Sequence, residues 1–189
     1  MRSLATTFAA AAATAVLAAA PAYAQLPDAA EFTRQVNAFV DGWHDDAAHT
    51  RPAYFDKIAP NGVYIGTDKT EVWTRDQFKA WARPYFDAKK AWAFTAQKRN
   101  VYFSSDRRYV WFDEQLNTQM GTCQASGVLR NTGKGFLIEH YQLSLAVPNA
   151  LVDGFAKAIA EFEKDRTGKT SENGNSRGNA AAGAKARAE

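Results

Sequence analysis

The hydrophobic period of this chain changes once, near Trp92, and that change limits what it can fold into. Before it, apolar residues recur every three or four positions, as on a helix that buries one face. After it, four segments read with a period of two, as in half-buried strands. Helices first and a long run of neighbouring strands afterwards predict an α+β domain in which a sheet folds over the helices, with room for a pocket between the layers.

The helical half begins at Glu31. Phe32, Val36, Phe39, Val40, Trp43 and Ala47 form one stripe over 31–48, and Arg51-Pro52 interrupts it because the residue before proline avoids the helical region. A short second helix starts at Pro52 and carries Tyr54, Phe55 and Ile58, and Pro60-Asn61-Gly62 predicts a turn into a short strand at Val63 to Gly66. Thr74-Arg75-Asp76-Gln77 has the form of a capping box ahead of Phe78, Trp81 and Ala82, with Pro84 expected to end or bend this third helix. Strands are expected at 92–103, 109–118, 121–130 and 136–147, separated by hairpin signals at Ser104-Ser105-Asp106, Gly121 and Asn131-Thr132-Gly133. A last helix at 153–165 aligns Phe155, Ile159 and Phe162.

The two ends differ in kind from this middle. Arg2, an alanine-rich apolar run from Leu4 to Ala20 and the small-x-small tripeptide Ala22-Tyr23-Ala24 predict a signal peptide over 1–24, cleaved after Ala24. No later stretch is apolar over the roughly 18 residues a membrane helix needs, so a periplasmic or secreted protein with no membrane span is expected. Residues 166–189 are Gly, Ala, Asn, Ser and charge, which predicts a disordered tail. The organisation is then one domain over 25–150, a C-terminal helix over 151–165, and the tail. Cys123, the single cysteine, offers no internal disulfide, so stability rests on the core that a 46% hydrophobic, 13% aromatic composition can build.

The formal charge of +3 invites a nucleic-acid partner, but its location argues against one. Arg166, Lys169, Arg177, Lys185 and Arg187 against Glu172 and Glu189 give the tail a net +3; without Arg2 the folded part is near −1. No basic footprint for a phosphate backbone remains.

Chemistry-bearing residues are few. On 109–117, alternation sets Val110, Phe112, Glu114 and Leu116 on one face and Asp113 on the other. If the first face meets the helices, desolvation would raise the Glu114 pKa and suit it to proton transfer; alternatively Glu114 pairs with Arg99 as a structural ion pair. His140 could face the same cavity, although one bulge would exchange it for Tyr141. His44, Asp45, Asp46 and His49 could hold a metal only if two of them shared a helix face with a third ligand; no third is spaced for it, and a solvated polar face is the commoner arrangement, so no metal is expected. Ser126 lacks the strand-turn-helix setting of a nucleophile, and Gly62, Gly66 and Gly121 make no phosphate loop, so no cofactor is expected.

In this order, Val63-Tyr64-Ile65-Gly66-Thr67-Asp68 with Glu71 and Trp73, Pro84-Tyr85-Phe86, Trp111-Phe112-Asp113-Glu114, Gly127-Val128-Leu129 and Tyr141-Gln142-Leu143-Ser144 before Pro148-Asn149 resemble the SnoaL-like branch of the nuclear transport factor 2-like superfamily. The resemblance implies a cone: N-terminal helices packed in a strongly curved antiparallel sheet, a pocket open at one end, and often a homodimer through the outer sheet face. It implies no single activity. Three functions follow as expectations. The first is binding of a small apolar molecule in a pocket of Trp43, Tyr54, Tyr64, Trp81, Trp92, Glu114, Ser126 and His140. The second is a cofactor-free isomerase, cyclase or dehydratase with Glu114, His140 or Asp113 as acid or base. The third is a structural dimerisation or partner-binding module, which predicts a filled cone with no cavity.

Overall fold

A computed structural model describes residues 27–164. The expected signal peptide and tail lie outside the described residues. Helix α1 (Ala29–Ala48) starts where the Asp28 carboxylate accepts hydrogen bonds from the Ala30 and Glu31 amides at 2.8 and 3.0 Å, satisfying two of the otherwise unpaired N–H groups of the first turn. Its stripe of Phe32, Val36, Val40, Trp43 and Ala47 is buried as the spacing predicts, while Phe39 packs at the margin of the core. A single turn, α2 (Ala53–Asp56), sends Tyr54 and Phe55 into the same core. Helix α3 (Arg75–Asp87) opens with the full capping box between Thr74 and Gln77. Pro84 does not end it; the helix continues a turn to Asp87, with Phe86 buried to hold that turn.

The strands are β1 (Ile58–Ile65), β2 (Val72–Thr74), β3 (Thr95–Phe103), β4 (Tyr109–Thr118), β5 (Gly121–Asn131) and β6 (Phe136–Leu145). They form one sheet in the order β2-β1-β6-β5-β4-β3. Two features differ from the expectation. The segment Pro60-Asn61-Gly62 is absorbed into β1 as an irregularity instead of turning the chain, and β1 runs parallel to β6 while the other pairs are antiparallel. Gly62 explains how the chain passes there: a Cβ on it would stand 2.6 Å from the Ile138 carbonyl oxygen, so only glycine fits so close to β6.

Inward residues of β4 (Val110, Phe112, Glu114, Leu116) and β5 (Cys123, Ala125, Leu129) are buried against α1, α2 and α3. Two bulges steer the neighbouring strands. In β3, Ala96 opposes Leu116 and Lys98 opposes Gln115, so Gln97 is the extra residue and Arg99 comes to lie opposite Glu114. In β6, Ile138 opposes Leu129 and His140 opposes Val128, so Glu139 is the extra residue and Tyr141 turns inward opposite Gly127. A further helix, α4, runs over 152–164, with Leu151, Val152, Phe155, Ile159 and Phe162 all at least 44% exposed. No helix among the described residues is long and apolar enough to cross a membrane.

Candidate functional site

At the centre of the cone stands a buried carboxylate. Glu114 is 1% exposed and is met by three side chains from three other elements. His44 of α1 places Nε2 2.8 Å from Oε1, Tyr141 of β6 donates its hydroxyl to the same oxygen at 3.1 Å, and Arg99 of β3 donates Nε to Oε2 at 2.8 Å with Nη2 at 2.7 Å. Arg99 is held from behind by Asp41 at 2.9 Å and by Asn37, whose backbone and side-chain oxygens both accept from Nη1 at 3.3 Å.

Of the two readings of Glu114, this geometry favours the ion pair with Arg99 over a carboxyl raised by burial. Burial pushes its carboxyl up, but the hydrogen bond and charge of His44, then the charge and hydrogen bonds of Arg99, outweigh burial and hold it below the usual carboxylate range. An ionised, fully engaged Glu114 is an anchor for its neighbours and has no free oxygen poised for a substrate proton. Tyr141 shows the complementary effect: burial and then the nearby Glu114 charge drive its hydroxyl well above the ordinary value, so it remains a donor.

Aromatic rings fill the space around this anchor. Trp43 stacks on Tyr54 at 4.9 Å between ring centres and 1° between planes, donates its indole N–H to the Tyr54 carbonyl, and meets Tyr141 edge-on at 4.7 Å. Tyr64 stacks on Phe78 at 3.9 Å. Burial raises the Tyr54 and Tyr64 hydroxyls, so both are neutral. Trp43 and Tyr54 are thus core, at 0% and 1% exposure, and not pocket walls; two large rings stacked face to face leave no void between them.

Space opens above them, at the mouth of the cone. A 140 Å³ hollow is walled by Tyr64, Trp73, Phe78, Trp81, Trp92, Phe94, Met120 and Leu143, with Thr67, Glu71 and Gln119 as polar points. An adjoining 480 Å³ hollow shares Trp81, Trp92 and Gln119 and adds Tyr85 and Lys90. The buried Trp92 indole N–H lies beside the Tyr54 hydroxyl without reaching hydrogen-bond geometry. A separate 460 Å³ groove between α1 and β3 is bordered by Asp41, His44, Asp45, Phe94 and Arg99.

Of the residues singled out from sequence, Tyr64, Trp81 and Trp92 meet at the mouth, and Glu114 lies beneath, sealed by its partners. Ser126 and Asp113 oppose each other on the outer sheet face, where Asp113 accepts from Asn100 at 2.8 Å, so neither reaches the pocket. His140 also leaves it, because the Glu139 bulge gives the inward position to Tyr141. His44 and Asp46 are buried and not on a solvated face; Asp46 pairs with Arg51 and Lys57 at 2.7 Å, while His49 pairs with Asp45 at 3.0 Å. Arg51 also pairs with Asp45, so Asp45 and Asp46 are tied to cations while His44 turns to Glu114, and no cluster of three metal-capable side chains occurs among the described residues. What the sequence did not reveal is the burial of His44 against Glu114. Its signal was the row Val36, Val40, His44, three side chains four apart on the buried face.

Comparison with known proteins agrees with this architecture. A family model for the SnoaL-like domain matches residues 36–148. No curated relative matches the chain. Among solved structures, a nuclear transport factor 2-like protein of unknown function from Pseudomonas putida KT2440 is 10% identical, with 65% of this chain and 91% of that one covered and a TM-score of 0.53. An uncharacterized cystatin-like-fold protein from Caulobacter vibrioides is 13% identical over 65% of this chain and 95% of that one, also at 0.53. A candidate scytalone dehydratase from Novosphingobium aromaticivorans is 7% identical over 61% and 84%, at 0.51. At such identities the likeness is one of fold. With more than half of its length matched by the family model and a helix-filled cone to go with it, this chain belongs to the SnoaL-like domain family, within the nuclear transport factor 2-like fold.

Proposed function

We propose that this protein binds a small, flat, apolar molecule at the mouth of its cone. The observation that carries the reading is the pair of adjoining hollows that share Trp81, Trp92 and Gln119. The first alone, at 140 Å³, is about the size of an apolar cavity that accepts a single benzene-sized ring; with its neighbour it has room for a longer planar molecule lying along the indoles. Thr67, Glu71 and Gln119 supply the few polar points that orient a ligand in such sites.

The neutral fluorescent probe N-phenyl-1-naphthylamine tests this. It should bind with a rise in its own emission and a fall in tryptophan emission, and Trp92→Ala should weaken it at least about tenfold, the loss expected for about 1.4 kcal/mol of aromatic contact. Absence of binding, or equal binding by the Trp92→Ala protein, would remove the proposal.

One observation favours a second reading, cofactor-free acid-base chemistry. His44 borders the 460 Å³ groove while Glu114 fixes its ring, the arrangement by which a carboxylate orients a histidine acid or base. Turnover of an identified substrate that survives His44→Gln would exclude it. We also place the mature chain in the periplasm or outside the cell, on the signal-peptide pattern ending at Ala24; cell fractionation decides this. The half-exposed stack of Tyr102 and Trp111 on the outer sheet face supports pairing of two copies there, and light scattering at monomer mass would exclude it.

A further inference from the structure

The helix α4 is an amphipathic element with its apolar stripe bare. Leu151, Val152, Phe155 and Ile159 are between 44% and 55% exposed. An isolated helix of this length gains little stability by itself, so the stripe needs something to cover. Its sequence does not suit an anionic membrane surface, because Asp153, Glu161 and Glu163 stand against Lys157 and Lys164.

The chain enters α4 from the rim of the mouth hollow, and the far end of the helix is tied beside that rim. The helix follows β6, whose Leu143 lines that hollow, and the connecting Ala146 amide bonds the Thr122 carbonyl at 3.0 Å, next to the β4–β5 turn that contributes Gln119 and Met120. Near its other end Glu163 pairs with Lys69, in the β1–β2 connection that contributes Gly66, Thr67 and Glu71 to the opposite rim. The chain therefore passes from one lip of the hollow, through α4, to the other.

The orientation follows from helical spacing. Phe155, Ile159 and Glu163 are each four residues apart and form one row on one face. Because Glu163 reaches Lys69, that row is the one turned toward the β1–β2 lip. The exposed rim it approaches is itself apolar: Met120 is 42% and Trp81 40% exposed.

We infer that α4 is the outer wall of the ligand site, with Phe155 and Ile159 closing over the face of the molecule that Trp81 and Trp92 leave open. This rests on the mouth-site reading and deepens it: the ligand is enclosed between indoles below and a phenyl ring and an aliphatic chain above. Such a site selects molecules that are apolar on both faces, and disfavours those with a charged group projecting outward.

Two measurements on the full chain test it. In the first, bimane is attached to the Ile159→Cys variant; the buried Cys123 leaves position 159 as the accessible thiol. Bimane emission should be quenched by contact with Trp81 and recover at least about twofold when Trp81→Phe is added. Emission independent of Trp81 overturns the inference whether or not a ligand binds. In the second, the Phe155→Asp/Ile159→Asp protein, whose changes lie on exposed positions, should keep the wild-type melting temperature and bind N-phenyl-1-naphthylamine at least about tenfold more weakly. Affinity within twofold of wild type overturns the wall. If the wild-type chain binds no probe, the mouth-site reading falls, and the wall falls with it as a ligand contact. A retained bimane signal in that case identifies α4 as a plain cover of the rim.

Discussion

Replacing Glu114 by Gln isolates the charge at the centre of the cone while keeping its shape. The wild-type side chain is 1% exposed and receives His44 and Tyr141 on one oxygen and Arg99 on the other. An amide has one acceptor oxygen, so it cannot accept from Arg99 and from His44 and Tyr141 at once, and the Arg99 guanidinium loses its buried counter-charge. Breaking a buried pair by removing one partner costs about 3–5 kcal/mol. Asn37 and Asp41 still hold Arg99, which places the expected loss near the lower end, about 3 kcal/mol. At about 3 °C per kcal/mol for a domain of this size, that is a fall of about 10 °C in Tm. Urea unfolding followed by tryptophan fluorescence gives the free energy directly. The pH dependence supplies a second check. The folded carboxyl lies below its ordinary 4.5, so its stabilising effect is complete above the unfolded value and is lost as pH falls through the folded one. Wild type and variant should therefore differ most near neutrality and converge in acid as the folded carboxyl protonates, below its ordinary 4.5. A difference under about 1 kcal/mol at neutral pH, or one that does not shrink in acid, would refute an ionised, anchoring Glu114.

The other perturbations read separate parts of the fold. His44→Ala should cost about 2–3 kcal/mol in urea unfolding because it leaves Glu114 short of a buried partner, whereas His140→Ala, on the far side of the Glu139 bulge, should stay within about 1 kcal/mol. Gly62→Ala should destabilise by about 2 kcal/mol or more, since its Cβ would press on backbone oxygens of Ile138 and Ala59 at 2.6 and 3.0 Å that cannot swing away. Thr74→Ala removes the capping box of α3 and should lower stability by about 1 kcal/mol, with Thr74→Ser retaining most of it.

Most of the architecture was legible because local chemistry and tertiary packing agree. The stripe on α1, the cap at Thr74 and the alternation in β4 each point to the side that the structure buries. The centre of the site was only half legible. Glu114 stood out as an acid among apolar neighbours and Arg99, 15 residues back on β3, as a partner for it, but the imidazole that also sets its titration lies 70 residues back on α1, and one strand's pattern carries no record of that. His44 was hidden for another reason: it sits in a run of polar residues, His44-Asp45-Asp46, whose look of a solvated face masks the buried row from Val36. Trp43 and Tyr54 are indistinguishable in sequence from pocket walls such as Trp81, because composition reports ring content and says nothing of whether two rings stack shut.

The bulged residues Gln97 and Glu139 mark the two places where this sheet can change length without reversing its inward side chains. Removing either one would restore plain alternation, with Ala96 and Arg99, or Ile138 and Tyr141, two apart on one side. Homologues that are a residue shorter at either point can therefore retain the arginine and the tyrosine around the acid, and a position-by-position comparison that ignores the gap would pair the wrong residues while the centre of the cone is conserved.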